Sequence, residues 1–315
     1  MVFWSIFFGI ILFLAAAVLM ASYLCFRMAF YAPRKKLSDS EEIDIPEGEI
    51  YEPYRPQMER WIREVRAMPR EHFTITSFDG LELHGDFFEY APGAPIELML
   101  HGYRGSAERD MCGAVQRCHS LGHSALIVDQ RASGKSGGNV ITFGVNESRD
   151  CLTWIEYVTA RFGPKTRIIL AGISMGAATV VMAAGRELPE NVIAILADCG
   201  YTSPRDIIKK VIATDMKLPP DLAYPFVKLG ARLFGRFDLD ELSSIETVRN
   251  TPVPILLIHG ESDDFVPCDM SKRCHEANPA STRLFTVPGA GHGLAYLVDK
   301  AGYLETARNF FSPLE

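Results

Sequence analysis

The sequence predicts an α/β fold: a mostly parallel, eight-stranded sheet with helices on both faces and a small helical cap. Three observations carry that expectation. Short apolar runs alternate with longer helical segments through most of the chain, an alternating pair of runs flanks Asp79-Gly80 ahead of them, and about 50 residues of Pro-punctuated helical sequence interrupt the rhythm late on. Parallel strands buried on both faces read as continuous apolar runs, and crossover helices fill the gaps between them.

The chain opens differently. Val2 to Phe26 runs 25 residues without a charged side chain, enough to cross a hydrocarbon core of roughly 30 Å as one helix. Residues 1–30 therefore read as a transmembrane anchor. A cleaved signal peptide fits less well, because no basic region precedes the run and Ala15-Ala16-Ala17 lies inside it. Arg27, Arg34, Lys35 and Lys36 follow the apolar run, so the positive-inside rule puts the rest of the chain on the cytoplasmic face of a cell membrane. Residues 31–71 read as a tether and a docking helix. Leu37–Glu52 carries Asp39, Glu41, Glu42, Asp44, Glu47, Glu49 and Glu52 with few large apolar residues, the composition of a solvated linker. Tyr54–Met68 then repeats Met58, Trp61, Ile62 and Val65 at helical spacing.

The domain proper is expected over 72–315. Phe73–Asp79 and Leu81–Phe88 alternate around Asp79-Gly80, a dipeptide that tolerates the positive φ of a tight hairpin turn. Strands are expected at Ile96–Leu100, Ala125–Asp129, Arg167–Ala171, Val192–Ala197, Ile255–His259 and Arg283–Val287. Helices are expected at Ala107–Leu121, Val145–Phe162, Met175–Glu187, Cys268–Ala277 and Gly302–Phe311. The interval from about 202 to 251 is too long for a simple connection and would form the cap over the C-terminal edge of the sheet.

A net charge of -7 and a sequence pI near 5.7 give no general attraction for phosphate backbones, so nucleic acid is not an expected partner. Seven cysteines are an odd number with no CxxC pair. They read as reduced core residues, and Cys274-His275 stands alone, so no metal site is expected.

Gly172-Ile173-Ser174-Met175-Gly176 matches G-x-S-x-G directly after an apolar strand and at the head of a small-residue helix. A sharp turn there lifts the Ser174 hydroxyl clear of the backbone, and a Cβ at Gly172 or Gly176 would clash as strand folds against helix. A serine hydroxyl is a poor nucleophile until a base takes its proton. Of eight histidines, only His275 and His292 follow late enough, and His275 falls within an expected helix. His292, in Gly289-Ala-Gly-His-Gly293, sits on a glycine-rich loop after the last strand. The orienting acid should lie in His259-Gly-Glu-Ser-Asp-Asp-Phe-Val-Pro267, where sheet geometry does not decide between Asp263 and Asp264. His101-Gly102-Tyr103 lies where a loop should pass the nucleophile. The backbone amides of Tyr103 and Met175 would then form an oxyanion hole.

Together, His101-Gly102, Asp129-Gln-Arg131-Ala-Ser-Gly134-Lys-Ser136, the Ser174 turn, His259-Gly-x-x-Asp263-x-x-Val266-Pro267 and Gly291-His292-Gly293 resemble the α/β-hydrolase superfamily over about His72 to Phe311. The wording is similar to membrane-anchored bacterial members near the monoglyceride-lipase and serine-aminopeptidase-like groups. The resemblance implies that Asp263 is the acid and that no metal or organic cofactor takes part. One departure is Ala132, where the family usually has Gly.

The implied activity is a serine hydrolase acting on carboxylic esters, with acyl esters or lysolipid-like molecules as small-molecule substrates. The cap between Arg205 and Arg236 holds seven basic against three acidic residues. A basic, apolar cap facing an anionic membrane surface would suit lipid substrates. An aminopeptidase-like amide hydrolase would need acidic cap residues for a substrate ammonium, for which Glu241 and Glu246 are the candidates. A thioesterase could share the same residues, whereas a non-catalytic binding protein would not need all three. Dehalogenase chemistry is disfavoured, since it uses an aspartate where Ser174 stands.

Overall fold

A computed structural model describes residues 2–33, 43–111 and 113–314. Arg34, Lys35, Lys36, Asp39, Glu41 and Glu42, all singled out above, lie outside the described residues, as does Cys112, one of the seven cysteines. The apolar run forms one helix, α1 (Val2–Ala29, 28 residues). A 3-10 turn at Glu52–Tyr54 leads into α2 (Arg55–Ala67). The hairpin strands are β1 (Glu71–Thr76) and β2 (Glu82–Phe88), antiparallel, with the positive φ of the connection falling on Gly80.

From there strands and helices alternate as expected: β3 (Ile96–Leu100), α3 (Ala107–Asp110), α4 (Ala114–Leu121), β4 (Ser124–Asp129), α5 (Val145–Phe162), β5 (Ile168–Ile173), α6 (Met175–Ala183) and β6 (Val192–Asp198). The cap interval supplies α7 (Pro204–Thr214), α8 (Pro220–Gly230), a π turn at Ala231–Gly235 and α9 (Ser244–Asn250). The chain finishes with β7 (Ile255–Gly260), α10 (Asp269–Ala277), β8 (Thr282–Val287), α11 (Ala295–Val298) and α12 (Lys300–Phe311). The eight strands form one sheet in the order β1-β2-β4-β3-β5-β6-β7-β8, parallel from β4 onward.

One expected helix is two. Ala107–Leu121 breaks between α3 and α4, where Gly113 takes φ +82° and a Cβ on it would sit 2.5 Å from the Trp61 ring. Helical periodicity spans the break, but Trp61 of α2 occupies the space a continuous helix would need.

Apolar side chains bury on both faces of the sheet. One face, including Met99, Ala171 and Leu196, is covered by α2, α4, α11 and α12, and the other, including Leu98, Leu170 and Ile195, is covered mainly by α5, α6, α9 and α10. Met58, Trp61, Ile62 and Val65 of α2 are buried in the first of these layers.

A third apolar cluster joins α1 to the cap. Phe26 and Phe30 pack with Tyr201, Ile208, Val227 and Phe237. A Cβ on Gly230 would lie 2.3 Å from the Ser22 carbonyl, so the α1 and α8 backbones are in direct contact. The basic count of the cap also changes when its whole length is taken. Thr202–Thr251 holds eight basic and seven acidic residues. Arg205 and Lys228 pair with Asp240, Lys209 with Asp221, and Arg232 with Asp238. The basic face expected from Arg205–Arg236 is therefore largely neutralised by Asp238 and Asp240 just beyond it.

Ala132 adopts φ +60°, the region in which an L side chain costs roughly 1–2 kcal/mol. This is the position at which the resemblance noted above leads one to expect glycine. Ala132→Gly is expected to raise stability by up to ~1 kcal/mol, the relieved strain being partly offset by the greater freedom of glycine in the unfolded chain. A denaturant titration should show a higher midpoint with unchanged slope.

Candidate active site

Ser174 ends β5 and opens α6 with φ +55° and ψ −118°, a strained conformation held by its surroundings. The two flanking glycines explain how. A Cβ on Gly172 would lie 2.3 Å from the Gly176 carbonyl group, and one on Gly176 would lie 1.9 Å from the Leu100 oxygen. The turn therefore closes only with glycine at both places. The Ser174 amide donates to the Asp198 carbonyl at 2.8 Å, pinning the turn to the end of β6.

His292, on the loop after β8, reaches Ser174: Nε2 and Oγ are 2.9 Å apart. Its Nδ1 lies 2.7 Å from Asp263 Oδ2, on the loop after β7. Asp263 is buried while Asp264 is exposed, which separates the two carboxylates that sheet order alone left open. Burial by itself would raise the Asp263 pKa. Hydrogen bonds from His259 and His292 and from the Val266 amide instead hold it at about 2.

Because that value lies below the ordinary 3.8, the stability contributed by ionised Asp263 is complete above pH ~4. It is lost as pH falls toward 2. Thermal melts through this window are expected to show an acid limb that Asp263→Asn flattens.

His101 is fully buried, and Gln130 N–H donates to its Nε2 at 3.0 Å. That leaves Nδ1 as the donor to the Gly102 carbonyl, 2.8 Å away. The Gly102 amide in turn donates to Asp110 Oδ2 at 2.9 Å. Both polar groups of Gly102 are thus fixed, which sets the path of the loop into Tyr103. Met175 stands at the first position of α6, where backbone amides have no acceptor within the helix. The Tyr103 hydroxyl donates to the Ala29 carbonyl at 2.7 Å, joining this loop to the end of α1.

A cavity of about 500 Å³ opens on Ser174, His292, Gly102 and Tyr103. It is not covered by the cap. Among the described residues, none that line it comes from 202–251, whose apolar side packs on α1 instead. The cover is the stretch 46–51, and α2 contributes Met58 and Trp61 to the wall. The described part of the expected linker, 43–52, therefore lies on the domain instead of standing free. Ile45 is buried, and the Tyr51 hydroxyl donates to the His292 carbonyl at 3.0 Å.

Several contributors carried no signal in the sequence as functional residues. Asp110, Tyr51 and Asp198 sit in segments with no motif of their own. His259 stands in the sequence as the head of the His259-Gly-x-x-Asp263-x-x-Val266-Pro267 motif, with no role for its side chain. Its ring accepts from Ser271 Oγ–H through Nδ1 at 2.7 Å and directs Nε2 at the Val266 carbonyl and Asp263.

Cys199 lies beside Asp263 and His292, their ligand atoms all within 4.8 Å. Asp263 and His292 are already engaged with each other, and burial pushes the Cys199 thiol well up, away from the thiolate a metal would need. Six described cysteines are free thiols.

The α/β-hydrolase family model matches residues 98–305. A Mycobacterium tuberculosis protein of uncharacterised function, Rv2307c, is 30% identical over 243 residues, covering 76% of this chain and 78% of the relative. The lysophosphatidylserine lipase ABHD12 of Danio rerio is 27% identical over 60% of this chain and 49% of its own. Among solved structures, the Pyrococcus furiosus esterase Pf2001 superposes with a TM-score of 0.65 at 23% identity, over 80% of this chain and 93% of that one. With an eight-stranded sheet in this order and a family match across most of its length, the chain belongs to the α/β-hydrolase family.

Proposed function

We propose that this hydrolase-family protein is a serine hydrolase that cleaves carboxylic esters through an acyl-enzyme. The observation that carries the reading is the unbroken run from Ser174 Oγ to His292 Nε2 at 2.9 Å and from His292 Nδ1 to Asp263 at 2.7 Å. In this reading His292 removes the Ser174 proton as Oγ attacks the acyl carbon, and Asp263 holds the imidazole in the tautomer that accepts at Nε2. The amides of Tyr103 and Met175 stabilise the oxyanion. His292 then returns the proton to the leaving alcohol, and a water attacks the acyl group by the same route.

Acyl esters or lysolipid-like molecules are the proposed substrates. The apolar cavity wall supports this, as does the likeness to an esterase and to a lysophosphatidylserine lipase. An aminopeptidase-like reading has less support. Glu241 is paired with Arg149 and Arg186, Glu246 with Arg249, and neither lines the cavity.

We also propose that α1 anchors the protein in a membrane with the domain on the cytoplasmic side. About 20 residues precede the docked Ser22, close to the ~30 Å of a hydrocarbon core at 1.5 Å per residue, and most of their large apolar side chains are exposed. The α1–α8 contact would then hold the site at the lipid surface.

The test is activity-based labelling of membranes carrying the full chain. A fluorophosphonate should label the wild-type protein and not Ser174→Ala. Labelling that persists in that variant would refute the assignment. A panel of p-nitrophenyl acyl esters against aminoacyl anilides separates ester from amide cleavage.

A further inference from the structure

The cavity that opens on Ser174 is apolar along much of its length, with Met58, Trp61, Met99 and Leu196 in its wall, but polar at one region. There Arg117 of α4, Asp198 at the end of β6, Tyr296 of α11 and Tyr303 of α12 meet. Tyr303 ties the group together: the Arg117 guanidinium lies 5.9 Å from its ring centroid and the Tyr296 ring 5.2 Å.

All four side chains are more than nine-tenths buried. Arg117 Nη1, Asp198 Oδ1 and the Tyr296 hydroxyl nevertheless have no hydrogen-bond partner. They are three of the eight such side-chain atoms among the described residues, and they share this one cavity. Burying polar groups without partners is costly, and folding gains nothing from gathering them where leucine or phenylalanine would pack. The arrangement makes sense if a ligand completes it.

The charges say which ligand. Arg117 is already neutralised through Nη2 by Glu97 at 2.5 Å, so a carboxylate would meet Glu97 and Asp198 with no spare cation. An ammonium would face the Arg117 guanidinium. A hydroxyl suits every group present: it accepts from Arg117 Nη1–H, donates to Asp198 Oδ1, and can exchange either role with Tyr296.

We propose that this region binds a hydroxyl group carried on the substrate remote from the scissile ester, so that the substrates are esters with a free hydroxyl at the far end of one arm. The proposal rests on the serine-hydrolase reading for the word ester. The binding site itself does not depend on Ser174.

The experiment titrates wild-type full-length protein in lipid nanodiscs with 1-alkanols and with the matching n-alkanes of four to ten carbons, free concentrations being corrected for partition into the discs. At the chain length that best fills the cavity, the alcohol should bind about tenfold tighter than the matching alkane, the gain from two hydrogen bonds. Tyr296→Phe removes a hydroxyl that has no partner in the folded protein, so it should fold normally and reduce that preference severalfold. Asp198→Asn should reduce it as well.

Equal binding of alcohols and alkanes at every length would overturn the proposal. So would a preference that both variants leave intact. Ser174 labelling in the same preparation keeps the two readings apart. Labelling without alcohol preference sinks the hydroxyl site alone, and alcohol preference without labelling sinks the serine reading alone.

Discussion

Ser174→Ala and His292→Ala are each expected to lower kcat for ester hydrolysis by about 10⁴- to 10⁶-fold, and the double variant by hardly more than either alone. The reason lies in the geometry. Ser174 Oγ and His292 Nε2 lie 2.9 Å apart and, in the mechanism proposed above, form one proton-transfer unit, so removing either end removes the whole step. Asp263→Asn should cost less, on the order of 10⁴-fold, because the imidazole remains but loses the partner that selects its tautomer. The Ser174→Ala protein should remain folded. Alanine relieves nothing at φ +55° and disturbs none of the glycine contacts that close the turn. Its fluorescence-monitored melt should overlay the wild type. Additive losses in the double variant would mean that the two residues do not share a step.

The largest expected effect on stability comes from Glu97→Gln. Glu97 on β3 has no solvent exposure and accepts from Arg117 Nη2 at 2.5 Å and His123 Nδ1 at 2.7 Å. Burial alone would raise its pKa. The Arg117 charge and the His123 hydrogen bond override burial and bring it down to about 2. Glutamine at 97 would leave the Arg117 guanidinium charged in the interior without the carboxylate bonded to it, a change that typically costs about 3–5 kcal/mol. In a domain of this size that lowers the melting temperature by on the order of 10 °C. Replacing the pair together, Glu97→Leu with Arg117→Met, should recover much of the loss, since the desolvation cost of both charges disappears with them. A double variant as unstable as Glu97→Gln would argue that shape, and not the unpaired charge, sets the cost.

The features legible in the sequence are those encoded over a few residues. Gly172 and Gly176 announce a turn because the missing Cβ is itself the requirement, and the fold supplies the atoms a Cβ would strike. The strands read correctly because burial on both faces writes an apolar run into the chain. His292 could be chosen over His275 because a ring that must reach a nucleophile belongs on a loop, and His275 indeed lies in α10. The break between α3 and α4 was invisible, since the residue that enforces it, Trp61, stands about 50 positions away.

The fold class, the place of Ser174 at a strand-to-helix turn and the segment that holds Asp263 were therefore available from the sequence by itself. Periodicity and glycine sterics are local properties, and the order of motifs along the chain follows the order of strands. Tertiary structure decided what no local pattern encodes. It distinguished buried Asp263 from exposed Asp264, fixed both polar groups of Gly102 through His101 and Asp110, and gathered Arg117, Asp198 and Tyr296 into one cavity. It also exchanged the expected roof for another: the cap buries its apolar surface against α1 and domain residues such as Val145, Met175 and Met182, and the acidic stretch at 46–51 covers the cavity instead. The physical reason is common to all of these. Which of two apolar surfaces a segment will cover depends on the competing burial free energies of partners far apart in sequence, and that comparison exists only once the chain has folded.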